Sequence, residues 1–189
     1  MKILILDNYD SFTYNLLHYA EQVTDEPIVV KRNDEIALDE INQYHAIMLS
    51  PGPGLPAHAG LLCELIKSYA PTKKILGICL GMQAIAEVFG GRLRNLDHPQ
   101  HGVSKPTFIT DPSEVLYRNI PGVINCGRYH SWVVDNKNFP AELKITACDK
   151  DGNIMSLRHT LYNVCGVQYH PESILTEKGM QIISNWILH

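Results

Sequence analysis

Across residues 1–90, short apolar runs alternate with segments of helical period. That alternation restricts the chain to a largely parallel sheet covered by helices on both faces. Lys2–Leu6 is a strand of buried type, apolar at successive positions rather than at every second one. Ser11–Val23 has helical spacing, with Leu16, Leu17 and Ala20 on one face and Asp10 or Ser11 as the expected cap. Pro27–Arg32 and His45–Ser50 are further strands, with a short helix expected around Asp39–Tyr44. His58–Tyr69 and Leu80–Phe89 are helical, and Lys74–Ile78 is the strand between them. From Arg92 to Tyr169 the pattern changes to strands and turns, and Ile145–Cys148 with Ile154–Arg158 forms a β-hairpin about Asp149–Asn153. Helical spacing returns from Thr176, where Met180, Ile183, Trp186 and Ile187 share a face. The expected fold is α/β: an open, largely parallel sheet with helices on both faces and an antiparallel β extension. The length, 189 residues, is that of one domain, expected to span 1–189.

Several function classes are disfavoured by composition. The net charge is −4 and no block of Lys or Arg occurs, so neither a nucleic acid nor an anionic membrane is the expected partner. The apolar run Ile3-Leu4-Ile5-Leu6 stops at Asp7, too short for a secretion signal or for a span of about 20 residues. Five Cys without a C-x-x-C pair favour reduced thiols in a cytoplasm over a disulfide framework. No metal site is expected. His98-x-x-His101 lacks further ligands, and Asp149-Lys150-Asp151 opens like a calcium loop but has Thr160 where the closing Glu belongs.

The sharpest local feature is K-I-L-G-I-C-L-G-M-Q over Lys74–Gln83. A strand runs directly into a helix with Cys79 at the junction, and Gly77 and Gly81 flank it as G-x-C-x-G, the spacing of a nucleophile elbow. Such a turn is tight, so its neighbours must be small. A helix N-terminus suits a thiolate, because free N–H groups and the helix dipole favour negative charge. The plain alternative is a small buried Cys between two elements. The other Cys (63, 126, 148 and 165) lack flanking glycines.

A thiol nucleophile needs a base, and the base needs a group that fixes its tautomer. G-V-Q-Y-H-P-E-S over Gly166–Ser173 supplies both candidates: a strand ends at His170, Pro171 blocks its continuation, and Glu172 follows. His18, His45 and His58 have no carboxylate at useful spacing, His98 and His101 lie in a polar loop, and no comparable turn follows His159. Standing alone, His170 would be an ordinary surface-turn histidine. Ser50-Pro51-Gly52-Pro53-Gly54 follows the third strand at the sheet edge expected for Cys79. Its glycines offer bare N–H groups, so amides of Gly54 and Leu80 could receive a developing oxyanion, although a stiff connector would look the same. Gln83 lies one helical turn beyond Cys79 on the same face, within reach of a bound substrate or simply of solvent.

The chain resembles the class I (triad) glutamine amidotransferases over nearly its whole length. The resemblance rests on D-N-Y-D-S-F-T-Y-N-L (7–16), S-P-G-P-G (50–54), G-I-C-L-G-M-Q (77–83), R-Y-H-S-W (128–132) and G-V-Q-Y-H-P-E-S-I-L-T (166–176). The first and fourth motifs resemble the branch that serves chorismate-using synthases. The resemblance implies hydrolysis of glutamine to glutamate and ammonia, with no cofactor. Cys79 would be the nucleophile, His170 the base and acid, and Glu172 its orienter. Gly52, Pro53 and Gly54 would hold glutamine and the oxyanion together with Leu80, while Gln83, Ser131 and Trp132 would contact substrate. Ser131 and Trp132 come from the resemblance alone, since a strand with Trp otherwise suggests core. Members more often have His at Met82, Phe at Tyr169 and Leu at Trp132, and the Lys often found after Gly102 is missing here.

The last motif ends shortly before His189, so the ammonia is expected to be used by a separate chorismate-using synthase subunit. Component I of anthranilate synthase is preferred over component I of aminodeoxychorismate synthase, and one glutaminase could serve both. Two other classes remain at this level. One is a flavodoxin-like phosphate- or flavin-binding module using Asn8–Thr13 at the first helix N-terminus; the other is a catalytically silent regulatory relative.

Overall fold

The computed structural model describes residues 1–189. In chain order its strands are β1 (Ile3–Asp7), β2 (Ile28–Arg32), β3 (Ala46–Leu49), β4 (Lys74–Ile78), β5 (Leu93–Asn95) and β6 (Val103–Ile109). There follow β7 (Val123–Arg128), β8 (Trp132–Val134), β9 (Leu143–Cys148), β10 (Ile154–His159) and β11 (Val164–Val167). The α-helices are α1 (Thr13–Glu21), α2 (Leu62–Tyr69), α3 (Leu80–Val88) and α4 (Gly179–Leu188).

Nine strands form one sheet in the order β2-β1-β3-β4-β11-β10-β9-β6-β7. The first five in that order are mutually parallel, and the pairings from β11 outward through β10, β9, β6 and β7 are antiparallel. β5 and β8 make a separate two-stranded antiparallel ribbon. The expected parallel half and antiparallel extension are therefore both present. Period-2 alternation sorts the parallel strands between two apolar layers. Leu4, Leu6, Ile47, Leu49 and Ile75 pack with α2 and α3 on one face. Ile3, Ile5, Met48, Leu76 and Ile78 pack with α1 and α4 on the other.

The element boundaries differ from expectation where side chains or glycines intervene. α1 begins at Thr13, and its cap position is Phe12 with no side-chain cap. Asp10 instead accepts the Phe12 N–H at 2.8 Å, and Asp7 Oδ1 accepts from the Tyr9 and Asp10 amides and the Thr13 hydroxyl. The segment at Asp39–Tyr44 is a 3₁₀ helix over Leu38–Gln43. The single helix expected over His58–Tyr69 is split into a 3₁₀ turn at Pro56–His58 and α2, because Gly60 takes φ +52° between them and lies flat against the Asn33 carbonyl. α4 starts at Gly179 rather than Thr176, where the Pro171 carbonyl leaves no room for a Cβ.

β1, β3, β4 and β11 run in one direction, so their C-terminal ends share an edge of the sheet. That edge carries the Asp7–Asp10 turn, Ser50–Gly54, Cys79 and Gln168–Glu172. Open α/β sheets bind ligands at this edge.

Candidate active site

The sequence K-I-L-G-I-C-L-G folds into a strand, a one-residue corner and a helix. Cys79 is the corner, at φ 51° and ψ −101°, and its N–H donates to the Val167 carbonyl at 2.8 Å. The glycines on either side are sterically required. A Cβ on Gly77 would stand 2.5 Å from the Gly81 carbonyl carbon, and one on Gly81 would stand 2.7 Å from Leu49 Cβ. The first i→i−4 bond of α3 runs from Gln83 N–H to the Cys79 carbonyl at 3.0 Å. The amides of Leu80, Gly81 and Met82 precede it, so the open end of the helix faces the same edge as the thiol.

β11 is the neighbour of β4 and is in register with it, Val167 opposite Ile78. The residues after each strand therefore meet. His170 is buried and fixed through its backbone: its N–H donates to the Gly127 carbonyl (3.1 Å) and its carbonyl accepts the Thr176 hydroxyl (2.6 Å). Its Nδ1 donates to Glu172 Oε1 at 2.7 Å, the carboxylate being the acceptor. That bond leaves Nε2, which is buried and has no full hydrogen bond. Burial disfavours the charged imidazole, but contact with Cys79 and Glu172 outweighs it and raises the His170 pKa to about 10. Burial also pushes the Glu172 carboxyl up, and the imidazole contact pulls against that shift. The site thus sets an imidazole whose protonated form is favoured beside a sulfur at a helix N-terminus. Phe12 and Tyr129 pack their rings against His170, with centroids 5.5 and 4.8 Å away.

Two cavities meet at Cys79. One of about 280 Å³ is lined by Gly52, Pro53, Gly54, Cys79 and Gln83, and by Ser131 and Trp132 from the start of β8. The other, about 410 Å³, lies toward Phe12 and is bordered by Cys79, Gly52, Pro53, Tyr129 and His170. Glu172 stands behind His170, buried, and borders neither. The Leu80 side chain belongs to the apolar layer, so that residue can take part only through its amide. The loop before the first cavity is pinned at its start. Asn8 N–H donates to Ser50 Oγ (2.8 Å), Asn8 Nδ2 donates to the Ser50 carbonyl (2.9 Å), and a Cβ on Gly52 would stand 2.6 Å from Asn8. Gly54 sits at φ +76° with nothing around its Cβ position.

The structure adds residues that pattern alone does not single out. Tyr129 and His130 line the first cavity, and His130 is held neutral, its pKa lowered to about 3 by burial and by the nearby Arg128 and His170. Gln168 is fully buried with its Nε2 3.5 Å from Cys79 Sγ. No local pattern marks it, since residues 168 and 169 bend away after β11 and its partner Cys79 lies 89 residues earlier. The acidic turn at Asp149–Asp151 is not a cation loop. Asp149 accepts the Asp151 and Asn153 amides and pairs with Arg128 at 2.8 Å. His159 accepts two amides at the turn after β10 and stacks on Tyr162. No group of three or more His, Cys, Asp or Glu is placed to hold a metal ion, and no helix is long and apolar enough to cross a membrane.

A thiol at a helix N-terminus, an imidazole fixed by a carboxylate, and backbone amides beside one cavity are the parts that acyl transfer from an amide or ester requires. Comparison with known proteins agrees in kind. Residues 4–189 match the family described as glutamine amidotransferase class-I. The chain is 44% identical to anthranilate synthase component 2 of Cyanophora paradoxa over 98% of its own length and 97% of that protein. It is 42% identical to aminodeoxychorismate/anthranilate synthase component 2 of Bacillus subtilis (98% and 95% covered). It is 41% identical to aminodeoxychorismate synthase component 2 of Escherichia coli (98% and 98%). Among solved structures, a putative GMP synthase component from Thermoplasma acidophilum shares the fold, with TM-score 0.88, 24% identity, and 99% and 92% of the two chains covered.

Proposed function

The chain belongs to the class I glutamine amidotransferases, and from that membership we propose a division of labour at its sheet edge in which Cys79 is the nucleophile, His170 the acid and base, and Glu172 the group that orients His170. The observation that carries this reading is the Cys79 corner beside an imidazole whose Nδ1 is held at 2.7 Å by a buried carboxylate.

Glutamine occupies the cavity between the Gly52–Gly54 loop and Ser131-Trp132. The sulfur attacks the side-chain amide carbon, and the carbonyl electron pair moves onto oxygen, where amides of the loop and of Leu80 receive it. As the tetrahedral adduct collapses, the C–N bond breaks and His170 Nε2 gives its proton to the departing nitrogen, releasing ammonia. A glutamyl thioester remains. Neutral His170 then takes a proton from water as the water oxygen attacks the thioester carbon, and collapse returns the sulfur and releases glutamate. These steps use water and, from the protein, only side chains and backbone amides of this chain.

The ammonia acceptor we propose is a chorismate-using synthase subunit, as the relatives' names imply for those proteins. Component I of anthranilate synthase is our first assignment, and component I of aminodeoxychorismate synthase has equal support. Cys79→Ala tests the reading. Reconstituted with the synthase, it should lose glutamine-dependent synthesis by at least about a thousandfold, the usual scale for loss of a nucleophile. Ammonia-dependent synthesis should stay unchanged. Retained glutamine use would remove Cys79 from the mechanism.

A further inference from the structure

The buried amides behind Cys79 form a chain whose polarity can be deduced. The Trp132 carbonyl can only accept, so the group 2.9 Å from it on Gln83 must be the NH₂. The second hydrogen of that NH₂ goes to Gln168 Oε1, 3.2 Å away. With its oxygen so engaged, Gln168 must turn its own NH₂ toward Cys79 Sγ, at 3.5 Å. Turning Gln83 over would set its oxygen against the Trp132 and Gln168 oxygens, and turning Gln168 over would set two NH₂ groups against each other, in a site where Gln83 is 3% and Gln168 0% exposed. The backbone cannot relax the arrangement, since Gln168 N–H donates to the Met155 carbonyl at 2.9 Å and Gln83 N–H to Cys79.

We propose that Gln168 is a catalytic residue whose side-chain amide donates to the Cys79 sulfur and favours its anionic form, and that Gln83, anchored on the Trp132 carbonyl, fixes the direction of that donation. A hydrogen bond made to an anion is stronger than one made to its neutral partner, so a permanently oriented donor stabilises the thiolate selectively. The donor approaches the sulfur from the β11 side, alongside His170 and the open end of α3. It also links the nucleophile to the wall of the glutamine cavity, because Gln83 and Trp132 both line that cavity. The inference rests on Cys79 being the nucleophile, as proposed above.

The experiment is the pH dependence of Cys79 alkylation by iodoacetamide, followed by peptide mapping, on the isolated chain. Gln168→Leu and Gln168→Met remove the donor with little change in volume. Each should slow alkylation at pH 7 about tenfold and move its half-maximal rate upward by about one pH unit, equivalent to about 1.4 kcal/mol. Gln168→Glu should move it further, because a carboxylate then faces the sulfur. Gln83→Leu leaves position 168 untouched and should give a smaller shift in the same direction; it also decides the matter should both apolar variants fail to fold. A residue that only packs would alter stability and leave the profile in place. An unchanged profile in a folded Gln168→Leu or Gln168→Met variant overturns the proposal, and a shift there without one in Gln83→Leu overturns the orienting role of Gln83. Alkylation needs neither glutamine nor a synthase. An unshifted profile with Cys79-dependent glutamine use intact therefore removes Gln168 alone, whereas loss of Cys79 dependence removes the underlying reading.

Discussion

Cys79 is held at φ 51° and ψ −101°, a region that disfavours any residue with a Cβ. The strain follows from the demand that the sulfur stand clear of both β4 and α3. Glycine normally destabilises a position relative to alanine by about 0.5–1 kcal/mol, but here the order should invert. Cys79→Gly should unfold at higher urea than Cys79→Ala, by about 1–2 kcal/mol, because only the alanine keeps the strained Cβ. Equal midpoints would show that the corner is unstrained. The departures from the commoner family pattern are also settled by immediate neighbours. Met82 fills the space against Gly166, where a Cβ would stand 2.8 Å from it. Tyr169 is fully buried, and its extra hydroxyl is accommodated by donating to Tyr117 at 3.2 Å. The residues most visible in the sequence, Cys79, His170 and Glu172, announce themselves through local chemistry: flanking glycines, a following proline, a nearby carboxylate. Gln168 and His130 do not, because their partners are 89 residues away for the Gln168–Cys79 contact and similarly remote for the cavity wall.

At the scale of elements, the contact between β4 and α3 depends on two missing side chains. Gly77 and Gly81 are backbone to backbone, so Gly77→Ala should force strand and helix apart and destabilise the chain by about 2–3 kcal/mol. Gly122→Ala, where a Cβ meets nothing within 4 Å, is the control and should change urea stability by less than about 0.5 kcal/mol. Comparable losses in the two variants would refute the close-packing account. The same physics explains which elements are legible in the sequence. β4 falls on Lys74–Ile78 as expected, because an apolar run bounded by a corner leaves no freedom in where it ends. The β9–β10 hairpin is equally plain, with Asp149 organising its turn. The split before α2 is not, since the positive φ of Gly60 serves a contact with Asn33 on another segment. The late start of α1 has a similar origin: Asp7, on β1, accepts the Tyr9 and Asp10 amides and the Thr13 hydroxyl and so shapes the turn ahead of the helix.

Over the whole molecule, the site divides into a part the sheet holds and a part it does not. Cys79, Gln168 and His170 follow adjacent strands whose register is set by the ladder between β4 and β11. Gly54 has positive φ and nothing packed around its Cβ position, while the preceding Ser50–Gly52 segment is tied to Asn8. The loop-tip amides proposed to receive the oxyanion are therefore the component that a docked synthase could bring into line. A misplaced donor of this kind lowers a rate on the order of 10²–10³-fold. The isolated chain should release glutamate slowly, and adding the cognate component I should accelerate it at least about tenfold. Equal rates alone, with the anthranilate-type and with the aminodeoxychorismate-type synthase would sink this idea, and activation by one alone would name the route. The seam between β4 and β11 has a further consequence for control. Its amides lie at the centre of the sheet and should exchange with solvent only when the entire fold opens, whereas those of Pro51–Gly54 should exchange through small local excursions. Evolution could then tune when this enzyme works by rewriting one exposed loop and its partner, leaving the chemical machinery as durable as the protein itself.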